Sequence, residues 1–235
     1  MNTDISGTRL LAAGIAAFLL LPAAHGASQA EDKATAGKRI NDSVGVVNAM
    51  SALPRMPELL AKAHGVYIVP NYGRAALGVG VAGGSGVLMA KKPGASWGNP
   101  AFFDIGNISV GLQAGAEGGP IVLLLQNDRA VEHFRSKNNF ALSADVGLTV
   151  VNYSRIAEGI ATGDVVAWSS NKGLFGNVAT LAINDIRYNQ RLTDAYYGKT
   201  MTAQQALDSK EANPQAEALR KVLRNPATPP GTGRK

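Results

Sequence analysis

Cysteine is missing from all 235 residues, which excludes disulfides and cysteine-ligated metals as sources of stability. Histidine occurs only three times, and neither the H-x-x-x-H spacing nor an Asp-rich loop is present. We therefore predict no metal site and no cofactor. The fold has to be stabilised by burial of apolar side chains, and an apolar content of 46% is sufficient for a globular core.

Long hydrophobic runs are also missing. The longest one, Leu10–Leu21, has twelve residues, whereas a membrane-spanning helix needs about 20. That length, with Arg9 before it and the small residues of Ala24–Gly26 after it, is typical of a secretory signal. We predict that residues 1–26 are cleaved and that the protein is periplasmic or secreted. Cleavage after Ala30 and an uncleaved membrane anchor are the alternatives.

Acidic residues are fewer than basic ones, which gives a net charge of +6 with most of the excess in residues 184–235. Such a charge attracts anionic lipid, nucleic acid or acidic polymers. Because export would separate the protein from nucleic acid, the predicted partner is an anionic lipid or membrane surface. The alternative is that the charge only keeps the protein in solution.

The pattern of apolar residues predicts an α+β fold. Ile40, Val44 and Val47 share one face of a helix over Glu31–Ala52, and this face either packs on the core or contacts a membrane. Residues 78–119 contain twelve glycines, a density that helices do not tolerate but short bent strands do. We predict a Gly-rich antiparallel sheet or partial barrel flanked by N- and C-terminal helices. The domain covers residues 27–210, and residues 211–235 form a C-terminal helix and a disordered basic tail.

The individual elements follow from periodicity and from capping residues. The predicted strands are Gly65–Val69 (closed by Pro70), Ala75–Ala82, Gly86–Ala90, Ala101–Ile105, Ile108–Ala116, Ile121–Gln126, Phe140–Val151, Ile160–Ser169 and Val178–Ile183. The further predicted helices are Glu58–Ala63, Arg129–Ser136 behind an Asn127 cap, Asp185–Asp194, one opened by the capping box of Thr202, and one from Pro214 to Arg224.

Catalytic motifs are incomplete in this chain. Gly78–Gly83 matches the dinucleotide fingerprint, but the glycines and proline that follow exclude the helix that would hold a pyrophosphate. Ser85 lacks the final glycine of a nucleophile elbow, and His64 and His133 are the only bases for it outside the signal. We predict that the protein is not an enzyme.

Seven segments in a fixed order resemble the SYLF domain, over about residues 31–200. They are His64–Pro70, Gly83–Lys91, Trp97–Phe102, Val110–Glu117, Asn127–Phe134, Ser170–Phe175 and Tyr196–Gly198. The fifth is similar to the family's N-x-[DE]-x-A-V-x-x-F helix, and the sixth matches its S-x-[KR]-G-L-F segment.

This resemblance implies a non-enzymatic lipid-binding domain. Eukaryotic SYLF members bind phosphoinositides and membranes, and some bind or bundle actin filaments. For an exported member the implied function is binding of anionic phospholipid at a membrane surface of the cell envelope. An envelope structural or adaptor protein that binds another protein is the alternative, and an unrecognised hydrolase built around His133 is a third reading. The implied lipid-binding residues are Lys33, Lys38, Arg39, Lys91, Lys92, Arg155 and Lys172.

The chain departs from the family pattern at two positions. Only Arg155 is kept from the family's G-P-x-G-R turn, and Gly176–Ala182 lacks the acidic residue of the family's A-G-V-S-L-E-G segment. If that acid shapes a binding mouth, ligand preference in this chain differs from that of eukaryotic members. Lys91 and Lys92 also have an alternative interpretation, as a solvated turn before Pro93.

Overall fold

The computed structural model of the chain describes residues 21–73, 82–94, 96–106, 108–109, 118–143, 147–159, 162–175, 180–211 and 213–226. Most of the predicted signal, the strand Ala75–Ala82 up to residue 81, the strand Ile108–Ala116 from residue 110 onward and the tail from residue 227 lie outside these ranges. Within them, no helix combines the length and the apolar character needed to span a bilayer.

The described residues form eight α-helices and ten strands. The helices are α1 (Leu21–Ser51), α2 (Met56–Lys62), α3 (Asp128–Ser136), α4 (Tyr153–Ala157), α5 (Lys172–Phe175), α6 (Gln190–Tyr197), α7 (Ala203–Asp208) and α8 (Glu217–Arg224), the last preceded by a 3-10 turn, Pro214–Ala216. The strands are β1 (Gly65–Tyr72), β2 (Gly84–Ala90), β3 (Ala101–Ile105), β4 (Ile108–Ser109), β5 (Gly119–Leu125), β6 (Asn139–Phe140), β7 (Val150–Asn152), β8 (Val165–Ser169), β9 (Ala182–Ile183) and β10 (Ile186–Tyr188).

Eight strands form one curled sheet in the order β6-β10-β3-β2-β1-β5-β8-β7. Every pairing in it is antiparallel except that of β7 with β8. The chain around β9 connects its two edges, since Leu181 N–H donates to Val150 O and Leu142 N–H donates to Ile183 O, both at 2.9 Å. The sequence-based expectation of an α+β fold, with an antiparallel sheet or partial barrel and flanking helices, is therefore confirmed as a curled half-barrel, with one parallel pair that was not expected.

Successive side chains along a strand point to opposite faces of the sheet, so each face has its own hydrophobic core. On β1, Tyr67 and Val69 face the concave interior together with α3 and α7, whereas Val66 and Ile68 face α1 on the convex side. Helix α1 lies across that convex face and also packs against α6 and α8. The sheet thus fixes the positions of α1 and of both ends of β1.

The apolar face of α1 packs on the core. Ile40 and Val47 are fully buried, as are Ala36 and Met50, and Val44 is half-buried. The described helix already includes the ten residues before the predicted start, from Leu21, and it passes through the predicted cleavage position. Of the two interpretations of this face, core packing is the one that the structure supports.

Three predicted boundaries were wrong for identifiable reasons. Pro70 does not end β1, because the register with β5 shifts between Val69 and Tyr72 and the missing N–H falls in that irregularity. The helix predicted over Asp185–Asp194 is strand β10 followed by α6, with Asn189 as the cap between them. The strand predicted over Phe140–Val151 is two short strands, β6 and β7.

The other predicted helices and strands occur in the structure, with bounds that differ by a few residues; Ala82 is not part of a strand, and residues 162–164 precede β8 rather than belonging to it. Strand β3 has the predicted bounds, α3 begins behind an Asn127 side chain that accepts from Ala130 N–H, and Thr202 forms the full capping box with Gln205. After the Gly-rich fingerprint the chain enters β2 rather than a helix, as predicted. Helix α4 was not predicted, because five residues carry too little periodicity.

Candidate functional site

The seven residues implied by the resemblance do not meet in one place. Lys91 and Lys92 follow β2 at the sheet end where β1 begins, and Lys91 N–H bonds to His64 O there. Lys38 lies at the other end of β1, beside Asn71. Eight extended residues separate these ends by about 23 Å. The structure therefore places Lys91 and Lys92 far from Lys38.

Lys91 is held by neutral groups. Its ammonium donates to Ala61 O at 2.6 Å and lies 5.2 Å from the centroid of the Trp97 ring, a cation–π arrangement. Partial burial lowers the pKa of Lys91, because water no longer fully solvates the charged form. Among the described residues, no carboxylate forms an ion pair with it.

Lys92 is likewise held by a backbone carbonyl. Its ammonium donates to Ser209 O at 2.5 Å, and over the described chain it has no ion-pair partner. Burial lowers the pKa of Lys92, and the nearby guanidinium of Arg220 lowers it further. Both side chains of this pair are half-exposed just before the turn at Pro93, and each ammonium is also hydrogen-bonded to a carbonyl of a segment distant in sequence.

A cleft of about 720 Å³ opens between these lysines and helix α3, and we call it the lysine cleft. Its charged lining residues are Lys62, His64, Lys91, Lys92, Arg135, Asp128, Glu132 and Asp208. Arg135 is paired with Asp208, so three lysines remain against two carboxylates, Glu132 and Asp128, the second of which lies against the ring of His64. Lys62 and Arg135 were missed from the sequence because they lie on α2 and α3, and only the fold brings these helices beside β2.

His64 and Asp128 form a pair that resembles part of a catalytic triad. Nδ1 of His64 lies 2.7 Å from Oδ1 of Asp128 at the first turn of α3. The residues that line the lysine cleft include no serine or threonine, so this pair has no hydroxyl nucleophile there. His133, which the hydrolase reading requires, lies on the same helix but packs against Phe140 instead.

The cations of α1 are separate from this cleft. Lys33 is exposed, and Lys38 pairs with Asp42 one turn later at 2.7 Å. Nε of Arg39 is buried and has no hydrogen-bond partner in the described part of the chain. The exposed face of α1 therefore presents isolated, partly neutralised charges.

A second region, which we call the α1 groove, consists of two adjoining cavities of about 400 and 540 Å³ that share Ala49, Trp168 and Ser170. Lys38 lines the first cavity and Arg155 the second. Arg155 pairs with Glu158 at 3.1 Å. Lys172 begins α5 beside the second cavity, and its side chain lies outside the described atoms.

Comparison with known proteins gives a consistent result. The relatives include the SH3 domain-containing YSC84-like protein 1 of Homo sapiens, 30% identical over 52% of this chain and 36% of the relative. Two yeast proteins from Saccharomyces cerevisiae also match, Protein YSC84 at 26% identity over 73% of this chain and LAS seventeen-binding protein 3 at 29% over the same share. The chain spans just over a third of the length of these relatives. The family model Ysc84, described as "Las17-binding protein actin regulator", matches residues 106–226, just over half of the chain, and the chain therefore belongs to the Ysc84 (SYLF) family.

Proposed function

We propose that this chain is a non-enzymatic binding module that takes the anionic headgroup of a phospholipid in the lysine cleft. The observation that carries the proposal is the pair of ammonium groups on Lys91 and Lys92, both partly desolvated and neither ion-paired to a described carboxylate. The proposed location is the exported one, in the periplasm or outside the cell, where the partner is the surface of an envelope membrane.

The chemistry of the ammonium group explains why an anion fits. Each ammonium has three N–H donors, and the bond to Ala61 O or to Ser209 O occupies one of them. Partial desolvation disfavours the charged form of both lysines and lowers the pKa of each, and the guanidinium of Arg220 adds to this effect at Lys92. A phosphate at the cleft supplies both the charge and the acceptors.

The remaining lining residues carry both signs of charge, since Arg135 is paired with Asp208 while Asp128 and Glu132 are carboxylates. Lys62 is exposed at the end of α2 and adds a third cation, and Asp128 holds Nδ1 of His64 so that Nε2 is directed away from the carboxylate. The cleft volume of about 720 Å³ lies within the range of sites for small ligands, roughly 300–1,000 Å³.

The test is co-sedimentation of residues 27–235 with neutral and with anionic vesicles at low and high salt. We expect binding to the anionic vesicles only, weakened by salt because exposed charges are screened over about 8 Å at physiological ionic strength. Lys62→Glu should weaken binding by about thirtyfold, since each cation near an anionic surface contributes about 1 kcal/mol and the substitution reverses one charge.

The matched control is Lys137→Glu, which makes the same charge change at an exposed lysine just after α3, outside the lysine cleft. Equal loss of binding in both variants would show attraction to the overall charge and not to the cleft. Equal binding to neutral vesicles would contradict the headgroup proposal.

A second candidate is an adaptor whose ligand is another protein. The names of the relatives favour it, since the family is described as Las17-binding and one yeast relative is named LAS seventeen-binding protein 3. This candidate predicts no sedimentation with any vesicle, together with a stoichiometric complex with a protein of the same compartment that survives gel filtration.

A further inference from the structure

We propose that Asp208 is a built-in competitor for the lysine cleft, a carboxylate of the chain itself that occupies Arg135 until a phosphate displaces it. This regulation rests on the proposed function, because it concerns the same cleft and the same phosphate chemistry. Three observations carry it: the ion pair of Asp208 with Arg135, the carbonyl that follows at Ser209, and the exposure of the paired side chains.

The guanidinium of Arg135 is the cation that Asp208 occupies. Nη1 of Arg135 donates to Oδ1 of Asp208, and both side chains line the lysine cleft. The Arg135 side chain is only 18% exposed, whereas that of Asp208 is 48% exposed. A guanidinium keeps its proton at all relevant pH values, so at this depth it always needs an acceptor. The more exposed carboxylate is therefore the member of the pair that an incoming anion can replace.

Helix α7 holds this competitor in a fixed position. The helix packs against α3, its apolar side chains are buried in the concave core, and Asp208 is its last residue. The next carbonyl, Ser209 O, accepts from Nζ of Lys92 at 2.5 Å and from Nδ2 of Asn99 at 2.9 Å. Two adjacent residues thus offer a carboxylate to Arg135 and a carbonyl to Lys92. A bound phosphate would make the same kinds of contact with these two cations.

The carboxylate of Asp208 is unfavourably placed for the helix itself. The C-terminal end of a helix carries partial negative charge, so an acidic residue there is destabilising. The last turn of α7 contains no basic residue to compensate for it. The favourable interactions of this carboxylate lie in the cleft, where it pairs with Arg135. It also partly offsets burial and the guanidinium of Arg220, both of which lower the pKa of Lys92.

Displacement of Asp208 changes the charge that the cleft presents to a ligand. While the ion pair is formed, the charge of Arg135 is neutralised, and three lysines face Glu132 and Asp128. When a phosphate binds Arg135, the guanidinium joins the cations around the ligand and the half-exposed Asp208 carboxylate turns into water. A phosphate dianion carries more charge than one carboxylate, and this difference favours the exchange.

The test is titration of the purified protein with two probes that carry a phosphate monoester or free phosphate. The first is inorganic phosphate, followed by calorimetry, and the second is vesicles containing phosphatidic acid, followed by co-sedimentation. Asp208→Asn keeps the shape of the side chain but removes its charge. It should strengthen binding about tenfold, because the ligand no longer has to displace a carboxylate. Asp208→Ala is the second variant if the asparagine variant does not fold.

The matched control is Glu132→Gln. It removes the same charge from an exposed carboxylate that lines the same cleft and forms no ion pair within the described residues. We expect it to strengthen binding by less than about threefold, since an exposed charge is largely screened. The gain from Asp208→Asn should be lost in an Arg135→Gln background, where no guanidinium remains to be released.

The outcomes separate this role from the cleft itself. A gain with both probes supports the competitor with free phosphate as a sufficient ligand, and a gain with vesicles alone supports it for a lipid headgroup. Equal gains from Asp208→Asn and Glu132→Gln, or a gain that persists without Arg135, would overturn the competitor and leave the lysine cleft as a binding site. If neither the unsubstituted protein nor Asp208→Asn bound either probe, the cleft and its competitor would both be rejected.

Discussion

The buried hydroxyl of Tyr67 has one visible partner, the carbonyl of Phe103 at 2.9 Å. Its ring packs edge-on against Phe103 and at a tilt against Phe134 in the concave core. Tyr67→Phe keeps this packing but leaves a buried carbonyl without its donor, so we expect the free energy of unfolding to fall by about 1–3 kcal/mol. Urea unfolding followed by circular dichroism measures the change.

The control for this prediction is Tyr153→Phe. The Tyr153 hydroxyl also donates to a backbone carbonyl, that of Pro54, but it lies at the surface, where water can replace it. Its loss should lower the free energy of unfolding by less than about 1 kcal/mol. Equal effects of the two substitutions would mean that the buried hydrogen bond of Tyr67 contributes no more to the free energy of unfolding than the exposed one of Tyr153.

At the same scale, the sequence identified residue types but not their partners. The run Lys91-Lys92 was selected for lipid binding on its resemblance, and the structure shows both ammonium groups anchored to carbonyls that lie 30 and 117 residues away in sequence. Contacts at such separations depend on which strands pair, and local composition does not contain that information. The same reason explains why Lys62 and Arg135 were missed.

Helix α1 is the element on which the two interpretations of the N-terminal region differ. If it is part of the core, Ile40→Ala should lower the free energy of unfolding by about 2–5 kcal/mol, because the side chain is fully buried. Val44→Ala, at a half-buried position one turn away, should cost less than half as much. Chemical denaturation of both variants checks this, and a negligible effect of Ile40→Ala would support a helix that detaches.

The effect of a glycine-to-alanine substitution on stability depends on the element in which the glycine lies, as two glycines show. Gly45→Ala in α1 should raise the free energy of unfolding by about 0.5–1 kcal/mol, since no heavy atom lies within 4 Å of the added Cβ and alanine favours helix. Gly86→Ala in β2 should lower it by about 1–3 kcal/mol, because its Cβ would lie 2.4 Å from Ile68 O. Thermal unfolding of the pair tests both signs, and a stabilised Gly86→Ala would contradict the close approach of β1 and β2.

Element boundaries could be predicted where a local signal decides them. The Asn127 cap, the Thr202 capping box and the apolar face around Ile40 are all read from neighbouring residues, and the structure confirms them. Strand β10 could not be predicted, because its three residues gain their conformation from pairing with β3 and β6. Both partner strands are distant in sequence, so neither pairing can be recognised from the ten residues around β10.

At the scale of the whole molecule, the two cores share a dependence on neutral phenols. Burial raises the pKa of Tyr67 in the concave core and of Tyr196 and Tyr197 beneath the C-terminal helices, and it raises that of Tyr188 to about 12. An unfolded chain has tyrosine pKa values near 10. The folded state therefore binds more protons than the unfolded state above about pH 10.

It follows that the free energy of unfolding should decrease as the pH rises from about 10 to 12, with the full stability present below about pH 10. The lowered pKa values of Lys91 and Lys92 act with the opposite sign, since the folded state releases those protons first, but two partly exposed lysines oppose two buried and two half-buried phenols. Urea unfolding at successive pH values, with phenolate absorbance recorded in parallel, measures the effect. We expect most of the phenolate signal to appear together with the loss of helical circular dichroism. Gradual phenolate formation in a chain that stays folded to pH 12 would show that these hydroxyls titrate without unfolding, and that the two cores tolerate their charge.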